Sequence, residues 1–202
     1  MRDPLGRLFP NLPRQVRVAL DWILTIGGAV LIVLALKAWV VNPYRIPSSS
    51  MEPTLHCAKP AQGCEAHFSD RVLANRFIYR FRDPKRGEII VFKTPGNAPV
   101  CGTTRAHEVF VKRLIGLPGD HINERDGIIY INNVRLNEPY IQPSRRDHQP
   151  PRSWDVPKGQ YFFMGDNRAQ SCDSRTWGAV PRGNLIGEVF FVYWPITRIS
   201  FR

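Results

Sequence analysis

Hydrophobic positions fall into two regimes along the chain. Trp22 to Leu36 reads WILTIGGAVLIVLAL without a charge, and residues 22–41 form a 20-residue stretch whose only charge is Lys37. As a helix, at about 1.5 Å per residue, that stretch would cross a hydrocarbon core of roughly 30 Å. Lys37 lies near enough to its end to reach headgroups, Trp39 and Tyr44 are suited to the interface, Asp21 caps the near end, and Asn42-Pro43 stops the helix. Beyond Pro43 the apolar runs shorten to strand length: Arg71 to Phe81, Glu88 to Phe92, Glu108 to Gly116, Gly127 to Ile131, Gln160 to Met164 and Gly187 to Trp194. Turn signals such as Pro84-Lys85-Arg86-Gly87, Leu117-Pro118-Gly119-Asp120 and Asn132-Asn133 separate them. The pattern predicts a single N-terminal transmembrane helix followed by a mostly β domain, with residues 141–158, polar and proline-rich, as a surface loop.

A cleavable signal peptide competes with a retained anchor, because a basic start before an apolar run suits both. The run ends Leu36, Lys37, Ala38, Trp39, which offers no small-x-small cleavage site and favours the anchor. Arg2, Arg7, Arg14 and Arg17 precede it, so the positive-inside tendency puts residues 1–21 in the cytoplasm, 22–41 in the membrane and 42–202 on the far side.

Composition narrows the remaining classes. In 202 residues, 18 prolines and 15 glycines disfavour an all-helical body, and 43% hydrophobic residues against 22% charged disfavour disorder. The net charge of +11 would suit nucleic acid or anionic lipid. The charges form no single run and match no nucleic-acid motif, so the expectation is the lipid bilayer or mere solvation, and not nucleic acid. Four cysteines in an exported domain permit two disulfides. Cys57 and Cys64 bracket a short loop that a local disulfide could close, and Cys101 with Cys172 is a further pairing; free or buried thiols are the alternative. A zinc site from Cys57, Cys64, His56 and His67 has no familiar ligand spacing.

The chain has no Gly-x-Ser-x-Gly elbow, no Ser-x-x-Lys box and no His-Glu-x-x-His helix, so serine chemistry here needs another base. Ser48, Ser49 and Ser50 sit just past the apolar stretch between Pro47 and Pro53, whose fixed backbone could present a hydroxyl to a substrate; by composition alone the segment reads as a linker. If Glu108 to Gly116 is a strand, Lys112 shares a face with Phe110 and Leu114. Loss of hydration there would lower its pKa and leave an amine able to accept a proton, whereas a solvated lysine at the strand rim is the plainer reading.

Three longer segments change that balance. PSSSMEPTL from Pro47 resembles the nucleophile box of the type I signal peptidases, KRLIGLPGD from Lys112 resembles their lysine box, and GDNRAQSCDSRTWG from Gly165 resembles their third box, all in family order after an apolar stretch. With weaker matches at 86–92 and 185–198, the resemblance covers most of residues 42–202. It implies a signal-peptidase-like β-rich catalytic domain, with Ser50 as nucleophile and Lys112 as general base. The Ser50 backbone amide and the Ser48 hydroxyl would form the oxyanion hole. Ser171 would hydrogen-bond and orient the lysine amine, while Arg113, Asp166, Asp173 and Arg175 would brace the site through ion pairs. The implied activity is endoproteolysis of exported preproteins at small-x-small sites through an acyl-enzyme, with no metal or organic cofactor and with signal peptides as partners. Ser49 stands where the family usually has glycine, Glu88 replaces an aspartate, and Ala169-Gln170 replace a more polar pair. Segments 56–69, 93–107 and 141–156 fit the pattern poorly. Two rival readings are a Ser-Lys protease with another target and a non-catalytic tethered β domain.

Overall fold

The structure, a computed structural model, describes residues 13–39, 41–95 and 108–202. Arg2, Arg7 and Cys101, which the sequence reading used, lie outside the described residues. The chain divides into two compact units, Met1–Val41 and Asn42–Arg202.

In the first unit, helix α1 spans Arg14–Trp39. It begins well before Trp22 because Pro13 supplies a start and Arg14 to Asp21 contains no helix breaker; Arg17 N–H donates to Pro13 O at 3.1 Å. Side chains from Trp22 to Leu34 are exposed on every side of the helix, with Trp22 64% and Leu31 68% accessible, and Arg14–Leu34 is long and apolar enough to cross a membrane.

The second unit is mostly β. Its larger sheet runs in the order β1 (Val41–Arg45), β2 (Arg71–Asn75), β11 (Leu185–Trp194), β3 (Ile89–Lys93), β4 (Val109–Gly116), β9 (Gln160–Met164) and β10 (Val180–Pro181), with β12 (Ser200–Phe201) also on β11. A second sheet orders β7 (Val134–Arg135), β6 (Ile128–Ile131), β5 (His121–Arg125) and β8 (Arg152–Asp155). The strands β3, β4 and β9 are the buried centre of the large sheet: Ile90, Phe92, Leu114 and Phe163 are fully covered, and the Phe92 and Phe163 rings stack at 4.2 Å. Their near-continuous apolar runs follow from having both faces covered.

The expected run from Arg71 to Phe81 is shorter as a strand. β2 stops at Asn75, whose Oδ1 accepts the N–H groups of Phe77 at 2.9 Å and Ile78 at 3.2 Å, turning the chain into a 3₁₀ turn at Ile78–Arg80. The expected surface loop at 141–158 contains β8, whose alternating partly buried and exposed residues pair with β5.

Candidate active site

Ser50 sits in a 3₁₀ turn, Ser49–Met51, directly after the extended segment that ends at Ser48. Met51 and Leu55 anchor this turn in the core, and Leu55 N–H donates to Met51 O at 2.9 Å. Asn167 clamps it from the opposite segment: its backbone N–H donates to Ser50 O at 3.1 Å and its Nδ2 to Ser49 O, also at 3.1 Å. Two carbonyls at the Ser50 turn are thus held by one buried side chain and its own backbone.

Lys112 reaches the same point from the centre of β4, opposite Ile90 of β3. It is 1% exposed, its Nζ lies 5.6 Å from the centre of the Phe110 ring, and it donates a hydrogen bond to Ser50 Oγ. Burial pulls its pKa from 10.5 down to about 8; Asp173 and Asp166 oppose that shift, and Arg175 assists it. Desolvation wins because neither carboxylate contacts the ammonium. Ser48 Oγ lies 3.3 Å from Ser50 Oγ. Tyr44, Ile46, Pro47, Met51, Val109, Phe110 and Val111 join these groups in lining a largely apolar cleft of about 380 Å³.

The pleat of β4 sends the next residue, Arg113, to the opposite face. Its Nε and Nη2 bind both Asp166 oxygens at 2.8 and 2.6 Å, its Nη1 donates to Gly87 O at 2.8 Å, and its guanidinium stacks 3.8 Å from the Tyr140 ring centre. Thr54 Oγ1 donates to the same Asp166 at 2.5 Å. Asp173 is fully buried and accepts from Gly165 N–H at 3.0 Å and from Arg175 Nε at 2.9 Å. Burial pushes its pKa up, but Arg175 and the Gly165 N–H outweigh that and hold it below the usual carboxylate value. Arg175 reaches Asp147 at 2.7 Å as well. All the predicted site residues therefore converge, with one difference. Ser171 Oγ is buried and makes no hydrogen bond among the described residues, to Lys112 or otherwise. It packs across Gly165 from Ser50: a Cβ on Gly165 would overlap Ser50 O and lie 2.6 Å from Ser171 Cβ.

Sequence reasoning passed over Asn167, Glu52 and the buried pair of Arg168 with Glu138. Arg168 Nε donates to Gly165 O at 3.0 Å, so this pair steadies the same glycine from beneath. Its signal was an arginine inside the third box, indistinguishable there from a turn charge. Glu52 is fully buried and accepts from the Cys57 N–H at 3.1 Å and the Glu65 N–H at 3.4 Å, and His56 Nδ1 is hydrogen-bonded to it. Cys57 and Cys64 form a disulfide, which leaves no thiolate for the zinc alternative. Cys172 is disulfide-bonded too, and its expected partner, Cys101, lies outside the described residues. Among the described residues no group of three or more His, Cys, Asp or Glu could hold a metal ion.

The profile of the signal peptidase family, peptidase S26, matches residues 19–194. A probable signal peptidase I-2 from Synechocystis sp. is 40% identical over 177 residues, covering 87% of this chain and 73% of that protein. Signal peptidase I from Leptolyngbya laminosa is 37% identical over 202 residues, covering 98% of this chain and 91% of that protein. The crystal structure of a signal peptidase I from Enterococcus faecalis is 32% identical and covers 54% of this chain and 97% of that one, with a TM-score of 0.45.

Proposed function

Because the chain belongs to the signal peptidase family, peptidase S26, and has the function of a signal peptidase I, a serine peptidase, we propose that Ser50 is its nucleophile and Lys112 its general base. The observation that carries this reading is the buried Lys112 amine hydrogen-bonded to Ser50 Oγ with its pKa drawn down to about 8. A free lysine at neutral pH is almost wholly protonated, whereas with a pKa of about 8 this one is neutral in about a tenth of molecules at pH 7.

In the first half-reaction Lys112 Nζ takes the Ser50 proton as Oγ bonds to the scissile carbonyl carbon. The Ser48 hydroxyl and the Ser50 N–H receive the negative charge that develops on the carbonyl oxygen. The ammonium then returns the proton to the departing amine, the C–N bond breaks, and an acyl-enzyme remains. In the second half-reaction Lys112 deprotonates a water that attacks the ester, and Ser50 recovers its proton. Asp166, Arg113, Asp173 and Arg175 hold the two boxes in register, and Ser171 steers the amine once it leaves Ser50. The largely apolar lining of the cleft beside Ser50 supports uncharged side chains flanking the cut, as small-x-small sites have.

The apolar part of α1, from Trp22 to its end at Trp39 rather than to residue 41, which already belongs to β1, anchors the enzyme in the bilayer, with 1–21 cytoplasmic and 42–202 the catalytic domain on the outer side. The arginines at 14 and 17 and the apolar girdle of α1 support that orientation. Anchoring raises the effective concentration of signal peptides already held in the same membrane. The test is cleavage of a preprotein by the detergent-solubilised full chain. Ser50→Ala and Lys112→Ala should each abolish it while the protein stays folded, and full activity in either variant rejects the pair.

A further inference from the structure

The loop closed by the Cys57–Cys64 disulfide, within one of the segments that fit the family pattern poorly, packs directly against the Ser50 turn. Gly63 lies at the end of this loop with φ +76°, a conformation that favours glycine. A Cβ there would sit 2.6 Å from Ser49 Oγ and 3.0 Å from Ser49 Cβ, and would overlap Gln170 Oε1. Both neighbours belong to the clamp on the nucleophile. Asn167 Nδ2 donates to Ser49 O at 3.1 Å and to Gln170 Oε1 at 3.2 Å, while Asn167 N–H holds Ser50 O. From the other side, buried Glu52 grips the loop near both of its ends through the Cys57 and Glu65 N–H groups. Ser49 and Gln170 are two of the positions at which this chain departs from the family pattern, and both meet the loop at Gly63.

We propose that Gly63 is a positioning residue: the disulfide-closed loop 57–64 acts as a brace that seats Ser49 and Gln170 and thereby fixes where Ser50 Oγ stands relative to Lys112. The inference rests on the reading of Ser50 as nucleophile. A side chain at residue 63 must push the turn away from Asn167, because the loop is tied at both ends by the disulfide and by Glu52 and cannot yield alone. Displacement of a nucleophile by a fraction of an ångström slows chemistry and leaves binding in the cleft unchanged.

The experiment measures kcat and KM separately for the full chain in detergent, in wild type and in Gly63→Ala, each with and without Ser49→Gly. Gly63→Ala should lower kcat on the order of tenfold, short of the ~100-fold that a 1 Å misplacement can cost, with KM and the acid limb of the pH profile unchanged. In the Ser49→Gly background, where the contact with the serine turn is gone and only the Gln170 side chain and the positive φ remain to be met, the same substitution should lower kcat by clearly less than it does in wild type. Equal losses in both backgrounds, or wild-type kcat in Gly63→Ala, overturn the proposal. Should Gly63→Ala fail to fold, the exposed Gln170→Ala removes the other contact: a several-fold loss of kcat at unchanged KM sustains the brace, and wild-type kcat overturns it. Ser50→Ala is run in parallel. Cleavage surviving in that variant defeats the nucleophile reading itself, whereas its absence beside an unaffected Gly63→Ala defeats the brace alone.

Discussion

Replacing Lys112 with methionine should make the protein more stable while removing its activity. The drop of the Lys112 pKa from 10.5 to about 8 on folding corresponds to about 3 kcal/mol, at 1.36 kcal/mol per pH unit. This is a cost of folding, because burial penalises the cation and the protein must either bury it charged or release its proton. Methionine has similar length and no charge, so Lys112→Met recovers that cost. It also loses the hydrogen bond to Ser50, which contributes about 1 kcal/mol, leaving a net gain of about 2 kcal/mol. The pH dependence identifies the cause. A depressed folded pKa means that the unfolded chain holds the extra proton, so the wild type gains stability as pH rises from about 8 toward 10.5. The advantage of the variant should therefore be constant below pH 8 and disappear over that window. Denaturant unfolding of both full-length proteins in the same detergent, at pH 6, 7, 9 and 10.5, reads this directly. A variant less stable than wild type at pH 6, or a gap that does not close by pH 10.5, refutes the argument that burial sets the amine's pKa.

In wild-type enzyme the acid limb of kcat/KM should lie near the lysine value of about 8, and Asp166→Asn should move it downward, since that carboxylate favours the ammonium; an upward move would contradict the sign. The same substitution breaks the two-oxygen contact with Arg113 and strands a largely buried guanidinium, so thermal or denaturant unfolding should show a loss of about 3–5 kcal/mol. Ser48→Ala should lower kcat by the equivalent of about 2.7–4 kcal/mol, with little change in KM, if one oxyanion donor is removed; a steady-state assay on a peptide with alanine at P1 and P3 distinguishes that from a loss of binding. An unreduced digest analysed by mass spectrometry should yield a Cys57–Cys64 linked peptide, and both thiols alkylated without reduction would contradict the loop closure.

The central strands and the proposed pair of Ser50 and Lys112 were legible because their signals are local. Phe110, Lys112 and Leu114 alternate in β4 with the spacing of two that a strand imposes, and Ser50 lies within a box long enough to identify. What could not be read depended on partners distant in sequence. β8 sits in a polar, proline-rich stretch and is recognisable only through its pairing with β5, because its outward residues remain exposed. The early end of β2 was decided by Asn75 capping the turn after it, a side-chain bond that outweighs the β-propensity of Phe77, Ile78 and Tyr79. Asn167 and Arg168 carry no unusual local pattern; their roles come from Ser49, Ser50, Glu138 and Gly165, which the fold alone brings to them. The Ser171 hydroxyl was expected on the amine and instead faces Gly165 with no hydrogen-bond partner among the described residues.

Ser50 and Lys112 are 62 residues apart, and the segment that clamps them begins later still, at Gly165. Neither hairpin nor single turn brings these groups within reach of one another; in the folded protein β9 flanks β4 and Asn167 closes over the serine turn. Loop closure over such spans is among the slow, late events of folding. With Ser50 as nucleophile and Lys112 as base, as proposed above, a chain whose sheet is still unformed has neither the burial that lowers the amine's pKa nor the contact that joins it to the hydroxyl. On the proposed roles of Ser50 and Lys112, proteolytic competence is a product of completed folding.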